Sequence, residues 1–348
     1  LMAQPFDASR LELRGEPFPV VQQVGQIAAT TGWAAFSVST EGTLAYRTGA
    51  GGKTQLAWFD RTGKELGRVG QPEDQSVPRL SPDQKRVAVT RRDAQGSDDI
   101  WLLELARDAS TRFTFHPADE ASPVWSPDGG RIVFASNRDG RYDLFQKASS
   151  GAANEELLLK SSETKIPTDW SSDGRFILYH ALHPKTGFDL WVLPLEGDRK
   201  PIPVLQTEFI ESLGQFSPDG RWIAYQSNES TPQQVYVQGF PGAPSGPGGK
   251  FQVSTNGGGR PRWRRDGKEI YYLSPDGKMM AVEVKATATT FETARPRELF
   301  QTRAADAFFF AQTYDVSADG QRFLINCALE AEGPPPVTVV MNWAPRAP

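Results

Sequence analysis

The sequence contains a single cysteine, Cys327, among 348 residues. One thiol excludes an internal disulfide and any metal site built from cysteines, and its position in a strand-like run indicates a small buried apolar residue. Histidine is almost as scarce, with three residues, His116, His180 and His183. The chain therefore has few of the side chains that most often serve metal binding and acid–base catalysis.

Long apolar runs and blocks of positive charge are also absent. No run of about 18 apolar residues occurs, so the sequence predicts no membrane-spanning segment, and no signal peptide is visible. The net charge is −4 and lysine and arginine are dispersed, which makes nucleic acid and anionic membranes poor partners. Helical periodicity is nearly missing. What remains, with 32 glycines, 27 prolines and 11% aromatic residues, is typical of an all-β protein rich in turns.

Catalytic signatures are missing as well. The sequence has no G-x-S-x-G nucleophile elbow and none of the glycine-rich, H-R-D or D-F-G loops of kinases. We therefore predict that this segment is not an enzyme and that it holds no cofactor and no metal. Any catalytic domain of a parent protein would lie outside this chain.

One short phrase recurs seven times in the chain, beginning at Ser39, Ser81, Ser126, Ser171, Ser217, Arg264 and Ser317. Its third position is always acidic, and these turn acids are Glu41, Asp83, Asp128, Asp173, Asp219, Asp266 and Asp319. Successive turn acids are 42, 45, 45, 46, 47 and 53 residues apart. A period near 45 residues with strand-like flanks is typical of a β-propeller, in which each repeat forms one four-stranded blade.

The phrase itself, most fully Ser-Pro-Asp-Gly, has the chemistry of a tight turn. Proline presets φ, aspartate bonds nearby backbone groups, and glycine closes the turn. Each turn joins two short β-branched and aromatic runs, such as the one ending at Trp125 and the one starting at Arg131, which read as strands. The turn acids are therefore predicted to be structural.

The sequence predicts an all-β fold, a β-propeller of four-stranded antiparallel blades over residues 1–348. Residues 1–32 are expected to supply outer strands of a terminal blade, residues 33–306 six successive blades, and residues 307–348 the inner strands of the closing blade. The closing partner is expected near Pro17–Val24, because pairing there removes an open edge. This arrangement gives seven blades, and eight is the alternative if residues 1–24 belong to an additional blade.

A polar column precedes the turns. The residue just before each turn is apolar, whereas the residue one earlier is polar or charged in six of the seven repeats, as alternation in a strand requires. Because innermost strands surround the central channel of a propeller, these side chains are expected at the channel wall. The candidate binding residues are Arg79, Asp169, Gln215, Arg262 and Asp315. They predict either a solvated, self-neutralising ring or a polar ligand site.

Four other features raise weaker hypotheses. His180 and His183, with Asp189 nearby, could form an acid–base or metal site, although the preferred explanation is an exposed hairpin with incidental histidines. Asp139 and Asp143 resemble an oxygen-ligand loop for a divalent cation, but they also fit ordinary hairpin chemistry. The aromatic run at 308–310 and the Pro/Gly-rich segment at 241–249 are candidate partner-facing patches, with burial and solvent-exposed slack as the respective alternatives.

The segment Ser-Pro-Asp-Gly-Gly-Arg-Ile-Val-Phe-Ala-Ser-Asn-Arg-Asp-Gly at 126–140, followed by Asp143-Leu144-Phe145, resembles the repeat of TolB-like propellers. The resemblance covers roughly residues 33–328. Such repeats occur in TolB, in prolyl oligopeptidase-type peptidases and beside bacterial serine/threonine kinases. The opening residues, the segment 56–64 and the ending at 337–343 resemble the kinase group most.

The resemblance implies a non-catalytic sensor or scaffold region of a larger bacterial serine/threonine kinase or TolB-type protein. It also implies a periplasmic or extracytoplasmic location and a protein or small polar ligand at the channel face. The alternatives are a propeller that gates the channel of a prolyl oligopeptidase-type peptidase, or a propeller lyase or hydrolase with its site in the channel.

Overall fold

The structure is a computed structural model, and it describes residues 1–21, 24, 26–28, 33–40, 42–47, 53–242, 249–287, 290–305, 311–329 and 337–341. Two compact units are present, one formed by Leu1–Gly52 with Leu329–Pro348 and the other by Lys53–Ala328. We call them the terminal unit and the ring unit. Among the described residues no helix is long and apolar enough to cross a membrane. The turn acid Glu41, the aromatic run at 308–310 and residues 243–248 lie outside the described residues.

Regular structure in the described residues consists of β-strands. The first are β1 Met2–Ala3, β2 Phe6–Asp7, β3 Glu12–Leu13, β4 Phe18–Pro19, β5 Gln26–Ala28, β6 Trp33–Ala34, β7 Phe36–Val38, β8 Thr43–Arg47, β9 Thr54–Asp60, β10 Glu65–Glu73, β11 Gln75–Leu80, β12 Arg86–Arg92, β13 Asp98–Glu104, β14 Ala109–Arg112, β15 Glu120–Trp125, β16 Arg131–Ser136 and β17 Asp143–Ala148. The others are β18 Glu156–Leu159, β19 Thr164–Trp170, β20 Phe176–His183, β21 Gly187–Pro194, β22 Ile202–Leu205, β23 Glu211–Phe216, β24 Trp222–Ser227, β25 Gln234–Gly239, β26 Lys250–Gln252, β27 Gly259–Trp263, β28 Glu269–Leu273, β29 Lys278–Ala286, β30 Phe291–Thr293, β31 Arg297–Gln301, β32 Tyr314–Val316, β33 Arg322–Ala328 and β34 Val337–Met341.

Six antiparallel sheets, which we call blades, make up the ring unit. Blades 1 to 4 contain β11–β14, β15–β18, β19–β22 and β23–β26, respectively. Blade 5 contains β27, β28, β29 and β31, with β30 also paired to β29, and blade 6 contains β32, β33, β9 and β10. Consecutive blades pack on one another and blade 6 packs on blade 1. The ring unit is therefore a closed propeller of four-stranded antiparallel blades, and the predicted fold class is confirmed.

Blade 6 closes the ring by joining the two ends of the unit. β33 pairs with β9 through all seven residues from Thr54 to Asp60, and β10 continues the sheet. The predicted closure through Pro17–Val24 is wrong, because β9 takes the place beside β33, and the strand found among the described residues of that segment is β4, which pairs with β1. A seven-residue strand offers more ladder hydrogen bonds to the open edge of β33.

The blade count of seven, or eight, is not confirmed. The first repeat of the sequence, around Ser39, contributes β7 and β8 of the terminal unit, where they form a three-stranded sheet with β34. The next strand in the sequence, β9, does not join this sheet, because it lies in blade 6. The terminal unit otherwise contains the pairs β1–β4, β2–β3 and β5–β6.

Every blade has two distinct ends. The turn end carries the loop between its first and second strands, such as Ser126–Gly129. The hairpin end is the opposite one, and in blades 1 to 5 it carries the loop between the second and third strands. In blade 6 the second and third strands are β33 and β9, which are distant in sequence. At the turn end of blade 2, the Ser126 hydroxyl donates to Asp128 Oδ1 at 2.5 Å and accepts the Arg131 N–H at 2.8 Å. The serines at 81, 171, 217 and 317 bond their turn acids in the same way.

The first strand of four blades contains a bulge that sequence alternation does not reveal. Its residue with positive φ is Val77 (51°), Ser122 (58°), Leu213 (52°) or Arg260 (57°), always three positions before the last residue of the strand. Each bulge shifts the register against the second strand. The bulge resets the alternation so that the apolar residue before the turn, for example Trp125 at 6% exposure, packs between blades.

Candidate functional site

The polar column predicted from the sequence lies on the first strands of the ring unit. It contains one residue per blade, and we call Arg79, Val124, Asp169, Gln215, Arg262 and Asp315 the axial column. Arg79 and Arg262 are buried, whereas Asp169, Gln215 and Asp315 are half-buried. Its binding role stays a prediction.

Three members of the axial column link neighbouring blades. Asp169 Oδ2 accepts the backbone N–H of Phe216 at 2.8 Å, and Gln215 Oε1 accepts that of Trp263 at 2.7 Å. Asp315 Oδ2 accepts the N–H of Leu80 at 2.8 Å, which joins blade 6 to blade 1. These side chains satisfy amides that the bulged first strands leave free, so they also have a structural role.

Arg79 crosses the axis of the ring. Its Nη2 donates to the carbonyl oxygen of Thr168, which belongs to blade 3, although Arg79 itself lies in blade 1. The member of the column in the intervening blade is Val124, which offers no polar group. A side chain that bonds a blade beyond its neighbour passes close to the axis of the ring unit.

Arg262 is the most deeply buried charge of the column, with 1% exposure. Its Nε lies 3.5 Å from Asp315 Oδ1, at the outer limit for a hydrogen bond. Among the described residues, Nε and Nη2 of Arg262 and Nε of Arg79 have no hydrogen-bond partner. Burial lowers the pKa of Arg262, and the nearby Asp315 carboxylate opposes that change.

The two axial carboxyl groups differ in their surroundings. Burial raises the pKa of Asp169 to about 8, against the opposing hydrogen bonds from the Phe216 and Trp170 amides. Burial also raises the pKa of Asp315, while Arg262 and the Leu80 amide favour its charged form. At neutral pH Asp169 is therefore largely protonated.

The turn acids occupy a different place. All six in the ring unit are exposed, and in five of the six blades the Ser two positions earlier is buried and bonds the acid. In blade 5, Arg264 replaces the serine and bonds Asp266 through two nitrogens, at 2.6 and 2.5 Å. The hydrogen bond from Ser126 lowers the pKa of Asp128, as bonds to a carboxylate do.

The histidine hypothesis finds no convergent geometry. His180 is fully buried with its ring centroid 4.4 Å from that of Phe188, and burial lowers its pKa to about 3. His183 Nδ1 contacts the Thr186 hydroxyl at 3.0 Å, and the same hydroxyl donates to Asp189. Both histidines end the second strand of blade 3 at its hairpin end, away from the turn end to which Asp169 is adjacent.

Asp139 and Asp143, the two residues of the predicted cation-binding loop, are each paired with a lysine. Lys160 Nζ lies 2.6 Å from Asp139 and Lys165 Nζ lies 2.7 Å from Asp143. Across the described residues, no group of three or more His, Cys, Asp or Glu side chains is arranged to hold a metal ion.

Sequence reasoning missed a cluster of arginines around Glu269. Its carboxylate is bonded by Arg61 through both terminal nitrogens at 2.9 Å, by Arg264 at 2.7 Å and by Arg297 at 2.9 Å. The Tyr271 hydroxyl donates to it at 2.8 Å. Arg61 and Glu269 are 208 residues apart, so no local pattern could have shown that they meet.

Comparison with known proteins identifies the repeat type. Residues 34–188 match the model of the TolB beta propeller domain, which is somewhat less than half of the chain. The chain is 27% identical over 150 residues to the Tol-Pal system protein TolB of Helicobacter pylori, a match that covers 42% of this chain and 34% of that protein.

A second relative belongs to a different class of protein. The chain is 25% identical over 211 residues to the peptidase YuxL of Bacillus subtilis, covering 46% of this chain and 31% of that protein. The chain thus spans about a third of the length of the curated relatives that it matches.

Among solved structures, one assigned as TolB from Agrobacterium tumefaciens superposes with a TM-score of 0.61 at 18% identity. The match covers 79% of this chain and 98% of that one, and at this identity it bears on the fold alone. Together with the family model, it shows that this chain is built on a TolB-like β-propeller.

Proposed function

We propose that this chain is a non-catalytic propeller that binds a protein or a small polar ligand at the channel face, as a sensor or scaffold region. Two observations support the proposal: Arg79 of blade 1 reaches the carbonyl oxygen of Thr168 in blade 3, and Arg79 and Arg262 both have hydrogen-bond donors without a partner among the described residues. Buried guanidinium groups with unused N–H donors can bind a ligand. They do not act as bases or nucleophiles, because arginine stays protonated.

The hydrogen bonds of the axial carboxyl groups support the proposal that the chain is not catalytic. Asp169 and Asp315 each accept a backbone N–H from the next blade. A carboxylate that must hold an amide is poorly placed to exchange protons with a substrate in the same step.

We also propose that the parent is a larger bacterial protein, of serine/threonine kinase or TolB type, and that this region lies outside the cytoplasm. The support is the likeness of the repeats to TolB and, for the kinase type, the resemblance of the opening, 56–64 and 337–343 segments.

A channel enzyme is the second candidate, either a propeller lyase or hydrolase or the gating propeller of a prolyl oligopeptidase-type peptidase. Two observations favour it: Asp169, with a pKa raised to about 8 at the axis, and the likeness to the peptidase YuxL. Strongly perturbed carboxyl groups in a cleft are candidates for catalysis.

Turnover by the purified chain separates the two candidates. Chromogenic peptides, aryl esters and polygalacturonate are offered to the wild type and to Asp169→Asn, which keeps one acceptor oxygen for Phe216. We expect no turnover above buffer by either protein. Turnover that Asp169→Asn abolishes would establish a channel enzyme.

The complete coding sequence tests the parent. A kinase domain and one apolar span upstream agree with the kinase type, and a leader without a catalytic domain agrees with the TolB type. A nucleophile elbow encoded downstream would contradict both and favour the peptidase.

A further inference from the structure

The axis of the ring unit contains more hydrogen-bond donors than acceptors. Within the part of the chain that the structure describes, Nε and Nη2 of Arg262 and Nε of Arg79 have no hydrogen-bond partner. A buried donor without a partner lowers the stability of the fold, because it has given up its hydrogen bond to water. A folded chain keeps such groups when something outside the chain completes them.

The nearby acceptors are already committed. Asp315 receives the amides of Leu80 and Val316 at 2.8 and 3.0 Å, so its contact with Arg262 at 3.5 Å is long. Asp169 receives the amide of Phe216, and Gln215 that of Trp263. The chain itself therefore supplies no further acceptor from this column to the two arginines.

Part of the axial column reaches solvent. Asp169, Gln215 and Asp315 are half-buried, and the Asp315 side chain is 16% exposed, whereas Arg262 is 1% and Arg79 7% exposed. A small ligand would therefore have to pass these three polar side chains to meet the two buried guanidinium groups.

We propose that the axis of the ring unit binds a carboxylate group, held by Arg262 and assisted by Arg79. The guanidinium fork presents paired N–H groups that match the two oxygens of a carboxylate. This inference rests on the proposed binding function and names the chemistry of its ligand, which is the carboxylate of a small acid or of a peptide C-terminus.

Two neighbouring groups favour a monoanion over a phosphate. Asp315 beside Arg262 repels a second negative charge, because like charges nearby disfavour each other in a buried site. Asp169 has a pKa of about 8 and so carries a proton at neutral pH. A protonated carboxyl group donates a hydrogen bond to an anion instead of repelling it.

The test is calorimetric titration of the intact chain at pH 7 with acetate, acetamide and inorganic phosphate at constant ionic strength. We expect saturable binding of acetate, at least tenfold weaker binding of phosphate and none of acetamide, which has the same shape without the charge. Two further ligands distinguish a peptide C-terminus from a small acid: an acetylated dipeptide with a free C-terminal carboxylate and the same dipeptide with a C-terminal amide. If the dipeptide with the free carboxylate binds more tightly than acetate, the ligand is a peptide C-terminus.

Arg262→Lys keeps the charge but loses the fork, and we expect it to weaken acetate binding at least tenfold. Arg221→Lys, at an exposed arginine after the turn of blade 4, is the matched control and should bind as the wild type does. Circular dichroism checks that each variant folds, and Arg79→Lys, with a smaller expected loss, replaces Arg262→Lys if that variant does not.

Absent acetate binding, equal binding by the variant at 262 or 79, or tighter binding of phosphate would each overturn the inference. These binding experiments do not measure turnover. The non-catalytic function is therefore tested separately, by the turnover assays with Asp169→Asn. Turnover there would contradict the proposed function even if acetate bound.

Discussion

The turn end and the hairpin end of the blades treat carboxylates in opposite ways. At the turn end the six acids are exposed, and hydrogen bonds from the preceding serine lower the pKa of, for example, Asp83 and Asp319. At the hairpin end Glu120 and Glu211 are at most 1% exposed, and burial raises their pKa to about 7 and about 6. The same fold thus places carboxyl groups in two environments that shift their pKa in opposite directions.

The difference between the two ends follows from how far away in the sequence the hydrogen-bond partner of each carboxyl group lies. A turn acid is stabilised by a serine two residues away, so each repeat is self-sufficient there. Glu120 instead depends on Arg138, 18 residues away, at 2.5 Å, and Glu120 Oε2 has no partner within the described residues. Burial outweighs this ion pair, because removing a carboxylate from water costs more than one contact returns.

The largest effect is expected where the turn end itself becomes buried. Glu269, 4% exposed, joins Arg61 of blade 6 to Arg264 and Arg297 of blade 5. Burial works to raise its pKa, but hydrogen bonds from Arg61, Tyr271 and Arg297 outweigh burial and bring it to about 2. Glu269→Gln leaves Arg61 and Arg297 without their carboxylate partner, while Arg264 keeps Asp266, and it should lower the free energy of unfolding in urea by about 3 kcal/mol.

Glu283→Gln is the control for this change, since Glu283 is the exposed cross-strand partner of Glu269 in the same blade. It should alter the free energy of unfolding by less than about 0.5 kcal/mol. An equal loss in both variants would show that the cluster does not hold blades 5 and 6 together.

The next effect is a pH dependence with opposite signs at the two ends. Glu120, Glu211 and Asp74, with pKa values raised by burial to about 7, 6 and 6, bind protons in the folded state that the unfolded chain has released. Stability from these groups is full below about pH 4 and declines as pH rises through 6 to 7. We expect a loss on the order of 2 kcal/mol between pH 5 and pH 8.

Turn-end acids act in the other direction, because their lowered pKa values contribute stability that is lost only as pH falls below about 4. The unfolding free energy should therefore peak near pH 4 to 5. Glu120→Gln should flatten the slope between pH 5 and pH 8, as followed by urea titration at each pH. A slope of unchanged steepness in this variant would mean that Glu120 does not carry a raised pKa.

A smaller effect compares one sequence at the two ends. Ser-Pro-Asp-Gly occurs at 126–129, at the turn end of blade 2, and at 274–277, where it forms the second-to-third-strand hairpin of blade 5. Both serines donate to their aspartates at 2.5 Å. Ser126 is 2% exposed whereas the hydrogen bond of Ser274 to Asp276 is exposed.

Ser126→Ala should cost about 1 kcal/mol and Ser274→Ala less than half of that, because a lost hydrogen bond costs more where water cannot replace it. Thermal unfolding of the two variants side by side measures the difference. Equal shifts would mean that the turn sequence, not its burial, sets the stability.

The smallest effect concerns arginine stacking at the turn end. The Arg86 guanidinium carbon lies 4.7 Å from the centroid of the Trp125 ring, which binds blade 1 to blade 2. Arg86→Gln should cost about 0.5 kcal/mol, measured in urea beside the exposed control Lys85→Gln. If Arg86→Gln and Lys85→Gln had the same effect, the contact between Arg86 and Trp125 would not stabilise the fold.

Much of the ring could be predicted from residues that interact locally. The turns, their acids and the alternation of Asp169 with Trp170 depend on neighbours a few positions apart, so the sequence shows them directly. The bulges at Val77 and Leu213 could not be predicted, because non-glycine residues with positive φ have no reliable sequence signal.

The candidate site stays a prediction, and its chemistry could not be inferred from the sequence. The repeat period places Arg79 and Arg262 on first strands, but which guanidinium group finds an acceptor depends on side chains from other blades. Arg79 reaches Thr168 two blades away, whereas Arg262 Nε lies 3.5 Å from Asp315.

By itself, the sequence determined that the chain is all-β, that its repeats carry tight acidic turns between strands, and that polar and apolar residues alternate before each turn, because these follow from turn chemistry and from alternation within single strands. Only the tertiary structure decided that Thr54–Asp60 closes the ring, that the first repeat joins β34 instead, and that two arginines keep unused donors at the axis. These outcomes depend on pairings across more than 200 residues, where competing strands and burial decide, and no local pattern records that competition.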